Sequence, residues 1–208
     1  LGKKYGKVVI IGDGIVGKHA AKNAYGMGSN VYLFTRHQDK FAALKKEIGP
    51  ELNCVLSTKE NIAKHVKDAD LVVGAVLLKG AKAPFVVTEE MVKSMQKGSV
   101  IVDISIDQGG CIETSRPTSH SDPVYIKHGV IHYCVTNMPG AYPRTSTIAL
   151  TTATLPYALK LAKSGINALK EDKGLAKGLN TYKGFITYKP VAEDLGMMNR
   201  FKELKEFI

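Results

Sequence analysis

KVVIIGDGIVG, residues 7–17, decides the fold. Four β-branched residues, Val8 to Ile11, run without a polar break into glycines spaced G-x-G-x-x-G. A strand apolar on both faces is buried on both faces, as strands of parallel sheets are. Gly12 permits the tight turn, Gly14 lets backbone approach a pyrophosphate, and Gly17 lets the following helix lie close to the strand. That helix opens at Ile15 and Val16 and turns free amides and a positive dipole end toward the phosphates. A glycine turn used only for packing is the alternative.

Outward from this stretch, short β-branched runs alternate with helical ones. Strands are expected at 7–11, 30–34, 52–56, 70–76, 99–105 and 130–135. The intervening helices include an Ala-rich one reaching Gly28, an amphipathic one through Ile48, and others near 59–67 and 88–96. Six buried strands with crossover helices make an α/β fold, a Rossmann-type doubly wound parallel sheet, expected over residues 1–144. Residues 145–208 read as a C-terminal helical segment. It comprises one long helix kinked or interrupted at Pro156, a glycine-rich loop or hairpin at 174–188, and a terminal helix from an Asn199 cap.

Of 208 residues, 44% are hydrophobic and 23% charged, which excludes disordered, collagen-like and coiled-coil classes. No apolar run reaches the roughly 18 residues of a membrane span, and no signal-peptide shape precedes the first strand. The net charge of +10 invites a nucleic-acid reading. Scattered lysines, without aromatic interleaving or zinc spacing, argue against it and fit a polyanionic cofactor better. Three cysteines without C-x-x-C spacing point to a reducing cytoplasm rather than a disulfide framework. Cys111 and Cys134 read as small buried hydrophobes. No histidine has metal-ligand spacing, so no metal site is expected.

An NAD-binding strand of this kind usually ends in Asp or Glu, which holds the adenosine ribose. Here the second strand ends at Thr35, followed by Arg36, His37 and, farther on, Lys40. Threonine cannot chelate two hydroxyls, while the cationic cluster could take a 2′-phosphate, with Arg36 bidentate. NADP(H) acceptance is one reading. The other leaves Arg36 solvated and has NAD bound through its pyrophosphate.

Two longer stretches are more specific: VDISIDQGGCIETSRPTSHSDPVY at 102–125 and HYCVTNMPGAYPRTSTIALTTATLPY at 132–157. With GAVLLKGAKAP at 74–84 and LAKGLNTYKG at 175–184, they resemble the C-terminal half of the bacterial L-alanine dehydrogenase family. The resemblance runs from about Lys7 to Gly196. It implies NAD as cofactor, with NADP made possible here by Thr35 and Arg36, and reversible oxidative deamination of L-alanine to pyruvate and ammonium. It places Gly12, Gly14 and Gly17 in the pyrophosphate turn and Thr35 at the ribose-binding position, with Lys40 and Ser57 on the adenosine side. Val76 and Leu77 would line the cleft. Ile104, Ser105, Ile106 and Asp107, with Val135, Thr136, Asn137 and Met138, would surround the nicotinamide and its ribose. Asp107 matches the family's active-site aspartate; Asp103 reads as structural, and Arg144 as a surface residue.

The resemblance also implies a substrate-gripping segment N-terminal to the dinucleotide fold, whereas this sequence begins at Leu1. A fragment or a truncated protein is therefore expected, binding cofactor but turning over alanine poorly by itself. The family also implies a homo-oligomer, usually a hexamer, with the long helix packing on the absent substrate domain. The alternatives are a non-catalytic dinucleotide-binding module and the NAD-binding subunit of a proton-translocating transhydrogenase.

Overall fold

The structure is a computed structural model and describes residues 6–78 and 83–207. Residues 79–82, part of the GAVLLKGAKAP stretch, lie outside the described residues. The chain divides into two compact units, one of residues 6–77 and 83–138, the other of 78 and 139–207.

The first unit is built on one seven-stranded sheet in the order β3-β2-β1-β4-β5-β7-β6. The strands are β1 (Lys7–Ile11), β2 (Asn30–Thr35), β3 (Asn53–Leu56), β4 (Leu71–Gly74), β5 (Val100–Asp103), β6 (Val124–Lys127) and β7 (Val130–Tyr133). All neighbours run parallel except β6, which pairs antiparallel with β7 at the edge. The period-2 geometry of a strand sends alternate side chains of β1 into opposite cores. Val9 and Ile11 pack with Phe34, Val66, Val72 and Ile101, and Val8 and Ile10 with Ala21, Leu33, Leu44 and Val73. Helices cover both faces, namely α1 (Ile15–Gly26), α2 (Phe41–Ile48), α3 (Lys59–Val66) and α4 (Glu89–Lys93). Thr58 and Thr88 cap α3 and α4 by accepting the backbone N–H of Asn61 and Met91.

β6 is not among the six expected strands. It is an exposed edge strand whose residues alternate between exposed and half-buried. It joins β7 through His128 and Gly129, both left-handed at φ 55° and 79°, the two-residue turn that matches strand twist. Several strands also end earlier than expected. The segment after Asp103 winds into a 3-10 turn, Ile104–Gln108, and β4 stops at Gly74.

Glu89, opening α4, reaches this hairpin turn, with Oε1 2.6 Å from His128 Nε2 and 3.0 Å from Lys127 Nζ. Hydrogen bonds from His128 and Lys127 hold its carboxyl down to about 2. A carboxylate lowered on folding stabilises above its unfolded value, and that stability is lost as pH falls toward the folded value. Glu89→Gln is therefore expected to flatten the acid limb of the stability profile between about pH 4.5 and 2. Urea midpoints at a series of pH values check this.

The second unit carries α5 (Pro143–Ser164), α6 (Ala168–Glu171), α7 (Lys173–Ala176), a hairpin of β8 (Thr181–Tyr182) and β9 (Phe185–Ile186), and α8 (Lys189–Asp194). The helix α5 starts with Pro143 in its first turn and is not interrupted at Pro156. Proline removes the donor that would serve the Thr152 carbonyl, but both residues are exposed and water can take its place. The hairpin expected within 174–188 forms, turning at Lys183 and Gly184. The terminal helix from Asn199 does not form. Met198–Arg200 and Leu204–Glu206 are separate 3-10 turns, and Asn199 lies inside the first rather than capping a helix. Between them Phe201 bridges to Ile186, and the Lys202 N–H donates to the Ile186 carbonyl at 3.0 Å. This long-range pairing extends the backbone where local propensity favours helix.

Among the described residues no helix is long and apolar enough to cross a membrane, and no group of three or more His, Cys, Asp or Glu is placed to hold a metal ion.

Candidate functional site

In open α/β sheets ligands bind beyond the carboxyl ends of the strands, where the strand order reverses. Here that is the crevice between β1 and β4. The loop after β1 is fastened on both sides, since the Gly12 N–H donates to the Phe34 carbonyl at 3.1 Å and the Ala75 N–H to the Ile11 carbonyl at 2.9 Å. A Cβ on Gly12, whose φ is 117°, would overlap the Ala75 carbonyl oxygen, and one on Gly17 would overlap that of Gly12. Gly14 differs, because nothing stands within 4 Å of its would-be Cβ. It caps α1 without a side-chain hydrogen bond, and the first turn holds no acid. Ile15 and Val16 are exposed beside it. Two glycines thus close the turn and the third leaves open space over unpartnered amides, which fits a pyrophosphate.

The other candidate residues fall along the same edge in strand order. Thr35 ends β2, and Arg36, Lys40 and Ser57 follow β2 and β3, on one side of the crevice. Val76 and Leu77 follow β4. Ile104 to Asp107 follow β5, and Val135 to Met138 follow β7, on the other side. The loops after β4 and β5 are tied by the Ser105 hydroxyl, which donates to the Val76 carbonyl at 2.8 Å. The side chains of Thr35, Ser105, Ile106 and Val135 are buried, so contacts with a ligand from these four would come from backbone.

Asp103, at the end of β5, is fully buried. Its carboxylate accepts the backbone N–H of Ser105 at 3.1 Å, Cys111 at 2.9 Å and Ile112 at 3.2 Å. It therefore shapes the whole loop from Ile104 to Ile112, which is the structural part the sequence assigns to it. Burial, with Asp103 alongside, pushes the Cys111 thiol up to about 12, so this cysteine is no nucleophile near neutral pH. Asp107, by contrast, is exposed on the 3-10 turn. The Asn137 N–H donates to Asp107 Oδ1 at 3.1 Å, and Asn137 takes a left-handed φ of 52°. His120 Nε2 donates to the Asn137 carbonyl oxygen at 3.0 Å. The loops after β5 and β7 are thus joined through Asp107 and Asn137, leaving a carboxylate open to solvent.

The adenosine side departs from the expected cationic cluster. Lys40 Nζ lies 2.9 Å from Asp13 Oδ2, so its charge is already partnered, and Arg36 is exposed. Partial burial raises the Asp13 carboxyl, but hydrogen bonds from Lys40 and Thr35 and the Lys40 charge outweigh it and hold it below the usual range. Asp13 was not among the sequence candidates, because the glycine spacing leaves its position free. The available signal was an acid inside the loop of a chain whose β2 ends without one.

Alanine dehydrogenase from Staphylococcus haemolyticus is 55% identical over 194 residues, spanning 92% of this chain and 52% of that protein. The Bacillus subtilis alanine dehydrogenase is 53% identical over 197 residues, 94% and 52% respectively. The chain spans about half the length of these relatives. A solved L-alanine dehydrogenase superposes with a TM-score of 0.81 at 46% identity, covering 92% of this chain and 53% of that one. A transhydrogenase from Sinorhizobium meliloti gives 0.60 at 26% identity, covering 69% and 40%. The family model for the C-terminal domain of alanine dehydrogenase and PNT proteins matches residues 1–189, and the chain belongs to that family.

Proposed function

We propose that this chain is the dinucleotide-binding half of an L-alanine dehydrogenase, which interconverts L-alanine with pyruvate and ammonium. The observation that carries the reading is the exposed Asp107 carboxylate, held by the Asn137 N–H on the edge of the sheet that bears the glycine loop. The family binds NAD(H). When bound, the dinucleotide supplies the hydride acceptor for oxidation and the donor for the reverse reaction.

The chain's own residues divide the remaining work. Backbone at Gly14, Ile15 and Val16 would take the pyrophosphate, with Gly12 and Gly17 keeping the turn tight. Val76 and Leu77 would line the crevice between the two nucleoside ends. Thr136, Asn137 and Met138, with the backbone of Ile104 to Ile106, would position the nicotinamide end. Asp107 would place a negative charge next to the substrate's α-carbon, where it can stabilise positive charge or order an attacking water. The groups that grip the amino acid are assigned to the half of the relatives that these residues do not span.

The second unit would bridge to that half and to further copies of the chain, in a cytoplasmic homo-oligomer. Support comes from α5, none of whose residues is buried, with Ile148, Leu150, Leu155 and Leu159 all more than half exposed. The weaker likeness to a transhydrogenase favours a transhydrogenase component less than the alanine dehydrogenase likeness favours the enzyme.

Two measurements test the proposal. Calorimetric titration of the chain with NADH is expected to show one saturable site. A chimera in which these residues replace the matching half of the Bacillus subtilis enzyme is expected to form NADH in an alanine-dependent manner. A folded chimera that binds NADH yet ignores alanine would leave only a dinucleotide-binding module.

A further inference from the structure

The end of β2 carries no acid, yet a carboxylate stands there nonetheless. Asp13 belongs to the glycine loop, but its side chain meets Lys40 Nζ at 2.9 Å from the turn after β2 and interacts with the hydroxyl of Thr35, the last residue of β2. Thr35 itself is buried, and its oxygen also accepts the His37 N–H at 3.1 Å. The threonine is thus a support for the carboxylate and for the turn. The Asp13 side chain is only 17% exposed against 48% for Lys40, so the acid is the more buried member of the pair.

We propose that Asp13, supplied by the glycine loop, is the carboxylate that reads the adenosine ribose in this chain, and that it makes the site select NAD(H) over NADP(H). The inference rests on the dinucleotide-binding reading and specifies its ligand. Three observations carry it. An acid in a loop that receives two phosphates works against their binding by charge, so its presence there requires a compensating contact. Lys40 offsets that charge from the side, and beyond the bonds from Lys40, Thr35 and the backbone the carboxylate, with about four acceptor sites, keeps capacity for a ribose hydroxyl. Finally, the carboxylate contacts the residue whose position ordinarily supplies the ribose-binding acid, so the acid has moved between adjacent backbone segments while its place in the crevice is kept. A 2′-phosphate would meet this carboxylate directly. Lys40 could serve the phosphate only by leaving Asp13, and Arg36 alone would have to offset both negative groups.

The test is calorimetric titration of the chain with NADH and with NADPH, with thermal melting to verify folding. The unsubstituted chain is expected to bind NADH at least about tenfold more tightly than NADPH. Asp13→Asn is expected to weaken NADH by about tenfold to a hundredfold, the range for losing a charged hydrogen bond, while NADPH binds as well or better once the repelling charge is gone, so the preference collapses. Lys40→Met is expected to keep or sharpen the preference for NADH. The decisive variant is the double change Asp13→Gly with Thr35→Asp, which returns the acid to the strand end. It is expected to bind NADH within about threefold of the unsubstituted chain, whereas Asp13→Gly alone does not. It also serves if Asp13→Asn fails to fold.

Several results would overturn the inference. They are equal or tighter NADPH binding by the unsubstituted chain, an equal loss of both cofactors in a folded Asp13→Asn protein, and a double variant no better than Asp13→Gly. The second would assign Asp13 to loop shape alone. Failure of the unsubstituted chain to bind either dinucleotide would refute the cofactor reading itself, and this inference with it.

Discussion

Replacing Asp103 with alanine is expected to cost the first unit about 3–5 kcal/mol, the scale of breaking a buried charged network, which is a large part of the 5–15 kcal/mol that typically holds a domain folded. The carboxylate is wholly buried and serves three backbone N–H groups and the Cys111 thiol. The loop pairs with its neighbour at the Val87–Ile112 bridge, but these donors have the carboxylate as acceptor, so alanine leaves them with neither acceptor nor water. Each buried unsatisfied donor costs roughly 1–3 kcal/mol. Repacking cannot recover the loss, because Gly74 and Gly110 already press against the same carboxylate. A Cβ at Gly110 would lie 2.9 Å from Asp103 Oδ2. Asparagine keeps one acceptor oxygen but turns an NH₂ toward donors, so Asp103→Asn should fall between alanine and the native residue. Urea unfolding followed by circular dichroism measures both. A midpoint for Asp103→Ala indistinguishable from the unsubstituted chain would contradict the network. Because Asp107 rides on the same loop, the variant should also lose whatever the site does, at temperatures where the rest of the sheet persists.

The sheet was readable from sequence where burial on both faces leaves an unbroken apolar run, as in Val8–Ile11 and Val31–Phe34. It was not readable at β6, where Val124 and Ile126 are exposed, at 46% and 71%, and the run looks like loop. The alternation around His128-Gly129 was the available hairpin signal. Asn199 misled for a different reason. A cap residue before a helical run is a local cue, and the Ile186–Phe201 bridge that defeats it is a contact between residues far apart in sequence. The site divides in the same way. The glycine turn is a local motif and is read from its spacing, whereas the Asp107 and Asn137 segments are named through the family resemblance that their contiguous stretches carry. The Lys40 ion pair is not legible in the sequence because its partner lies 27 positions away, and the cations beside Thr35 read as a phosphate site without Asp13 in view.

Asp107→Asn is the substitution expected to alter chemistry most while altering structure least. Asparagine preserves the shape of the side chain and an acceptor oxygen for the Asn137 N–H, now 3.1 Å from Asp107 Oδ1, so the junction between the loops after β5 and β7 should survive. What disappears is the negative charge. If Asp107 stabilises positive charge at the substrate carbon or orders the attacking water, its loss should resemble removal of one preorganised electrostatic group, about 10²–10³ in kcat. In the chimera with the Bacillus subtilis half, turnover should therefore fall by about that factor while NADH affinity, dominated by the pyrophosphate turn and the adenosine side, changes less than about threefold. Asp107→Ala removes charge and acceptor together. It should add a loss of NADH affinity, because Asn137 holds its left-handed backbone partly through this bond. The split between the two variants separates the roles, since a purely positioning aspartate would leave Asn near normal and Ala impaired. Near-normal turnover for Asp107→Asn would remove Asp107 from the chemistry and leave it as the brace between two loops.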